Sequence, residues 1–147
     1  MDKLIQVSSV HKKISEMLAM YRETLSNINF YDPFAYTESL NRLFKDTILP
    51  HFEFEEKEIF PLVSVRGNLD IQATVSILQE EHKRFIDKLN RLNELKAALA
   101  SNADVKEKEK LLSLCNEITR ELNEHALKED THIFPLLKVI DHSLGAS

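Results

Sequence analysis

Apolar residues recur along this chain in steps of three and four, in four separate runs. The first holds Leu4, Val7, Ile14, Leu18, Tyr21, Leu25 and Ile28, with His11 among them. The second is Leu40, Phe44 and Ile48, followed in register by His51, Glu55, Glu58 and Leu62. The third is Ile71, Val75, Leu78, His82, Phe85, Leu89 and Leu92. The fourth is Leu111, Leu114, Ile118 and Leu122, then His125, Glu129, His132, Leu136 and Val139. On a helix each run falls on one face, the stripe that a bundle buries. Histidine interrupts every stripe, and glutamate interrupts two.

The punctuation between the runs fixes the boundaries. The first helix is expected from about Lys3 to Asn27, before Asn29-Phe30-Tyr31-Asp32. Asp32-Pro33 is a cap followed by a first-turn proline and starts the second helix. That helix continues to about Val65, where Arg66-Gly67-Asn68 stops it with a glycine placed to take positive φ. Pro50 and Pro61 lie inside this span and are expected to bend or split it. Asn68 or Asp70 caps the third helix, which reaches about Ala100. After Ser101-Asn102-Ala103-Asp104, with Asp104 and Glu107 resembling a capping box, the fourth helix runs to about Asp141 and bends at Pro135. Short connections between long helices predict an all-α, antiparallel up-down-up-down four-helix bundle.

Composition agrees. The 147 residues, expected to form one domain over 1–147, include only two glycines and four prolines. A net charge of −5 gives no reason to expect binding to nucleic acid or to an anionic membrane. The single cysteine, Cys115, cannot form an intramolecular disulfide. No basic segment and apolar run open the chain as in a signal peptide, and no stretch approaches the ~20 apolar residues of a membrane span. A soluble cytoplasmic protein is the expectation.

The candidate chemistry lies in a repeat. His51-x-x-x-Glu55-x-x-x-Ile59-Phe60-Pro61 is echoed by His125-x-x-x-Glu129-x-x-x-Ile133-Phe134-Pro135. Residues four apart share a helical face, so each copy aims an imidazole and a carboxylate the same way. Counted from the turns, His11, His51, His82 and His125 match in level to within about 3, 1.5 and 4.5 Å, at ~1.5 Å per residue. The second and fourth helices run in the same direction, so Glu55 and Glu129 fall on one side of the histidine layer. Six polar groups in one core layer cost several kcal/mol each unless paired. An imidazole–carboxylate network would satisfy them without metal; a metal site does so more completely. Four His and two Glu exceed one tetrahedral zinc site and lack the oxygen-rich shell of calcium or magnesium. Two adjacent first-row ions fit, with iron the leading candidate. A ferritin-like centre needs carboxylates on all four helices, whereas here the first and third offer only histidine.

His11, His51-x-x-x-Glu55, His82 and His125-x-x-x-Glu129 together resemble the signature of the hemerythrin-like (HHE cation-binding) domain family over essentially the whole chain. The resemblance implies a non-haem di-iron centre bridged by Glu55, Glu129 and a solvent oxygen. It also implies that His11 and His51 serve one iron, and His82 and His125 the other. Oxygen-carrying members have a further histidine one turn before His82, where this chain has Leu78. They also have an aspartate at the position of Asp130; Glu129 is the residue in seam register here. One histidine fewer is closer to bacterial iron-centre repair proteins, whose N-terminal cysteine-containing domain has no counterpart in this chain.

Three functions follow as expectations. The first is binding of O₂ or NO, the diatomic partner, at an open iron position for sensing, carriage or scavenging. The second is di-iron enzyme or iron-donor chemistry: NO reduction, peroxide removal or repair of iron–sulfur centres. The third is a metal-free structural bundle. Glu58 and His132 occupy equivalent seam positions and are expected to pair near the bundle end or to be solvated at a bent helix, with a role behind the ligands or as an exchangeable ligand as the alternative. Tyr21, Tyr31 and Tyr36 are expected to pack, Cys115 to be a small buried hydrophobe, and His142 to lie in a fraying tail.

Overall fold

The computed structural model describes residues 9, 11–17, 19–20, 23, 33–101 and 105–145. It is a bundle of four helices, and no strand occurs among the described residues. Helix α1 is represented by residues 9, 11–17, 19–20 and 23, all helical. Helix α2 consists of the α-helical segments Pro33–Leu43, Leu49–Phe54 and Phe60–Arg66, joined by π-helical turns at Phe44–Ile48 and Glu55–Ile59. Helix α3 is Leu69–Ser101. Helix α4 consists of Val105–Lys128, a π-turn at Glu129–Ile133 and Phe134–Gly145. The expectations for Leu4, Val7, Leu18, Tyr21, Leu25, Ile28, the turn at 29–32 and the cap at Asp104 lie outside the described residues. No helix among the described residues is long and apolar enough to cross a membrane.

Side-chain ties give the directions. Asn41 near the start of α2 exchanges hydrogen bonds of 2.8 and 3.1 Å with Asn93 late in α3. Ser64 at the end of α2 accepts from Gln72 at the start of α3. On the next pair, Lys88 of α3 meets Glu121 of α4, while the earlier Glu81 meets the later Lys128. Consecutive helices are therefore antiparallel. His11 contacts Glu129 of α4, and the later Ile14 joins the cluster that holds Leu40, Phe44 and Ile48 of α2. So α1 opposes α2 as well.

Pro50, Pro61 and Pro135 do not split their helices. The junctions at Leu49, Phe60 and Phe134 keep right-handed helical dihedrals, with φ of −63°, −62° and −63°. A π-turn ends two residues before each proline. Proline lacks an N–H and its ring crowds the carbonyl four residues back, and a wider turn just before it relieves both problems.

These wide turns correct the predicted seams. Glu58 and His132 are exposed, Val139 is 64 % exposed, and Leu62 and Leu136 are half-buried. The core is taken instead by His51, Glu55, Ile59 and Val63, and by His125, Glu129, Ile133 and Leu137. Three steps of four would drift about 120° around a regular α-helix at about 100° per residue. The π-turn absorbs the extra residue.

The conformation of Gly67 and the end of α4 differ from expectation. Gly67 is extended, with φ −91° and ψ 169°, so no left-handed conformation selects glycine there. Space does: a Cβ at Gly67 would come within 2.7 Å of the Val63 carbonyl oxygen and 2.6 Å of Ile71 Cγ2. Asn68, not Asp70, caps α3, its Oδ1 accepting from the Ile71 N–H at 3.0 Å. Helix α4 continues past Asp141 to Gly145, so His142 lies within it.

The apolar core is in two parts. One holds Ile14, Leu40, Leu43, Phe44, Ile48, Phe85, Leu92, Leu99, Leu111 and Ile118 among others. The other holds Ile59, Phe60, Val63, Val75, Leu78, Ile133, Leu137 and Ile140. Between them on every helix comes a buried histidine: His11, His51, His82 or His125.

Candidate metal centre

All six side chains singled out from the sequence meet in this layer. His11, His51, Glu55 and Glu129 each offer one ligand atom within 4.8 Å of the others, and Glu55, His82 and His125 do the same. Each of the six is at most 7 % exposed. Glu55 belongs to both groups. Glu129 reaches both as well, its Oε1 lying 3.5 Å from His11 Nε2 and 3.1 Å from His125 Nε2. The rings of His11 and His51 are 4.7 Å apart and those of His82 and His125 are 4.9 Å apart, and Glu55 and Glu129 join the two pairs in one layer.

Position on the helices produces this convergence. His51 and His125 each lie on the last α-helical turn before a π-turn, and Glu55 and Glu129 are the first residues of those π-turns. The repeated Ile-Phe-Pro has two tasks. It ends the π-turn, and its phenylalanines pack on the site: Phe60 lies 5.6 Å from the His82 ring and Phe134 lies 4.8 Å from the His11 ring. Phe52 stacks on His82 at 3.8 Å, and Phe85 meets His125 edge-on at 5.5 Å.

Acids stand behind three of the imidazoles, and two of them, Glu56 and Glu81, were not anticipated from the sequence. Glu56 Oε1 is 3.1 Å from His82 Nδ1, and Glu81 Oε1 is 2.9 Å from His125 Nδ1. Asp130 Oδ1 is 3.4 Å from His11 Nδ1 and is 53 % exposed. Asp130 therefore stands outside the converging set, and Glu129 inside it. Glu56, Glu81 and Asp130 each adjoin a core ligand in sequence (Glu55, His82 and Glu129) and each reaches a neighbouring helix. An acid beside a seam ligand, rotated about 100° off the seam, was the signal available in the chain.

The tautomers follow. A carboxylate only accepts, so Nδ1 of His82 and of His125 must carry the proton that it donates to Glu56 or Glu81. Their Nε2 atoms then present lone pairs, yet these two atoms are only 3.1 Å apart. Both Oε atoms of Glu55, Oε2 of Glu129 and Nε2 of His51 are buried without a hydrogen bond. Burial pushes the His51 pKa down to about 4, against the pull of Glu55 and with help from His11, His82 and His125. Burial likewise lowers that of His125, against its hydrogen bond to Glu81. Both are neutral at pH 7. Burial raises the Glu81 carboxyl, but hydrogen bonds from His125 and Lys128 outweigh it and hold the group at about 2. The layer is thus a convergence of acceptors short of donors, and a cation is what such an arrangement fits.

A cavity of about 10 Å³ adjoins the layer, lined by His11, His51, His125 and Glu129 and, on the apolar side, by Ile14, Ile48, Phe52 and Leu122. This is about the room that one water-sized molecule needs. Leu78, one turn from His82, is fully buried in the second apolar cluster.

The family described as Hemerythrin HHE cation binding domain matches residues 6–137. No curated protein and no solved structure matches.

Proposed function

The chain belongs to the hemerythrin HHE cation-binding domain family, and on that premise we propose that it is a non-haem di-iron protein that binds O₂ or NO at an open iron position. The observation that carries this reading is the inward convergence of the Nε2 lone pairs of His82 and His125 with buried carboxylate oxygens of Glu55 and Glu129 that accept no hydrogen bond. His11 and His51 would hold one ion and His82 and His125 the other, with Glu55 and Glu129 between. Bound ferrous iron would supply an open, redox-active coordination position able to donate electrons to a diatomic molecule. The chain's own residues do the rest. Glu56 and Glu81 hold the imidazoles of His82 and His125 with their lone pairs inward. Ile14, Ile48 and Leu122 keep the adjoining cavity apolar and small, which favours a diatomic molecule over a larger polar ligand.

Metal analysis of anaerobically and aerobically purified protein tests this, together with the visible spectrum of the ferrous form after O₂ and after NO. About two irons per chain and a new visible band with either gas are expected. Protein that holds no metal, or iron whose spectrum neither gas alters, overturns the reading.

A second reading, enzyme or iron donor, is favoured by Leu78. A buried aliphatic side chain there leaves Glu55, His82 and His125 as a three-residue group. N₂O formed from NO, or iron transferred to a metal-free cluster protein, would support that reading. Neither activity above a metal-free control would remove it.

A further inference from the structure

The two halves of the layer have the same number of imidazoles, and Glu55 and Glu129 reach both. They differ in how firmly the imidazoles are held from behind. His125 Nδ1 donates to Glu81 at 2.9 Å, and Glu81 is itself only 12 % exposed and paired with Lys128. His82 Nδ1 meets Glu56 at 3.1 Å, and Phe52 lies flat on its ring. In the other half, His11 faces an exposed Asp130 at 3.4 Å, and its Nδ1 has no hydrogen bond. Among the described residues no carboxylate stands behind His51.

Resting on the di-iron reading above, we propose that the half built on His82 and His125 takes up a cation first and holds it more tightly, and that Glu81 is the positioning residue responsible. An imidazole already turned and fixed in the right tautomer gives up little freedom when a cation arrives. One that lacks this support must be ordered by the cation itself. Glu81 contributes most because it is fixed twice, by His125 and by Lys128, and lies largely out of solvent. The His11–His51 half is then the one that loses and exchanges its ion.

Anaerobic titration of metal-free protein with Co(II), followed by visible absorbance and calorimetry, tests the order directly. Two successive steps are expected. Glu81→Ala is expected to weaken the first step by about 10- to 100-fold, the usual cost of losing such a partner, and to leave the second within about threefold. Glu81→Gln, whose amide oxygen still accepts from His125, is expected to fall between wild type and Glu81→Ala, a graded rescue that simple loss of packing would not give. Asp130→Ala is expected to leave the first step unchanged. Two equal steps in the wild type, or a second step weakened by Glu81→Ala while the first is unchanged, overturns the proposal and leaves the di-iron reading intact. No uptake of cobalt by the wild type removes both.

Discussion

The backbone N–H of Phe60 donates to the carbonyl of Glu55, five residues back. Phe134 does the same to Glu129. Each core glutamate therefore opens a wide turn that the following Ile-Phe-Pro closes. The isoleucine thus enters the core, and the residue before it turns outward.

Ile133 and His132 should respond to truncation in opposite ways. Ile133 is fully buried, so Ile133→Ala is expected to cost about 2–5 kcal/mol. His132 is exposed, and His132→Ala is expected to stay within about 0.5 kcal/mol. A regular α-helix would reverse the ranking. Urea denaturation of the two variants decides between them.

Glu55 belongs to both ligand groups and His82 to one. Glu55→Ala is expected to abolish uptake at both positions, and His82→Ala to weaken one more than the other. Metal content per chain by mass spectrometry distinguishes these patterns.

Chelation is expected to lower the melting temperature, because it uncovers a buried layer of acceptors without donors. A ligand at a hundred times its Kd stabilises by about 2.7 kcal/mol. For a chain of this size that is a fall of roughly 5–10 °C on removal. Calorimetric scans with and without a chelator measure it. An unchanged transition would mean that the layer satisfies itself.

Gly67→Ala places a methyl group against the Val63 carbonyl and the Ile71 side chain. Backbone cannot yield as a flexible side chain can, and a cost of about 1–3 kcal/mol is expected. Thermal unfolding of the variant reads this loss.

Burial pushes the Cys115 thiol up to about 11, against a smaller opposing effect of its contact with Thr37. Iodoacetamide at pH 8 is expected to label Cys115 only after unfolding. The unfolded thiol ionises near 9.0 and the folded one near 11, so this group's contribution to stability is constant below the first value. It is lost as pH rises between the two. Labelling kinetics in native and denaturing buffer provide the check.

Much of the site was legible in the chain because level and face are simple functions of residue number. Counts from the turns that agree to within three residues placed His11, His51, His82 and His125 together, and steps of four placed Glu55 and Glu129 beside them. The π-turns were not read, although their mark is present. His51, Glu55, Ile59 and Val63 advance by four three times over, as do His125, Glu129, Ile133 and Leu137. No α-helix keeps such a series on one face. Reading Glu58 and His132 into the stripe followed from assuming one pitch throughout. Glu56 and Glu81 were missed for a different reason: their partners lie on neighbouring helices, and sideways reach depends on packing that periodicity along a single helix does not encode.

The polar layer that divides the core also insulates its ends from each other. Leu99 and Leu111 belong to one apolar block, Val63 and Leu137 to another, and neither block borrows a side chain from the other. Changes of volume far apart and without shared neighbours combine additively. Either end of the bundle is therefore free to drift, lengthen or acquire a new surface under selection while the middle stays as it is.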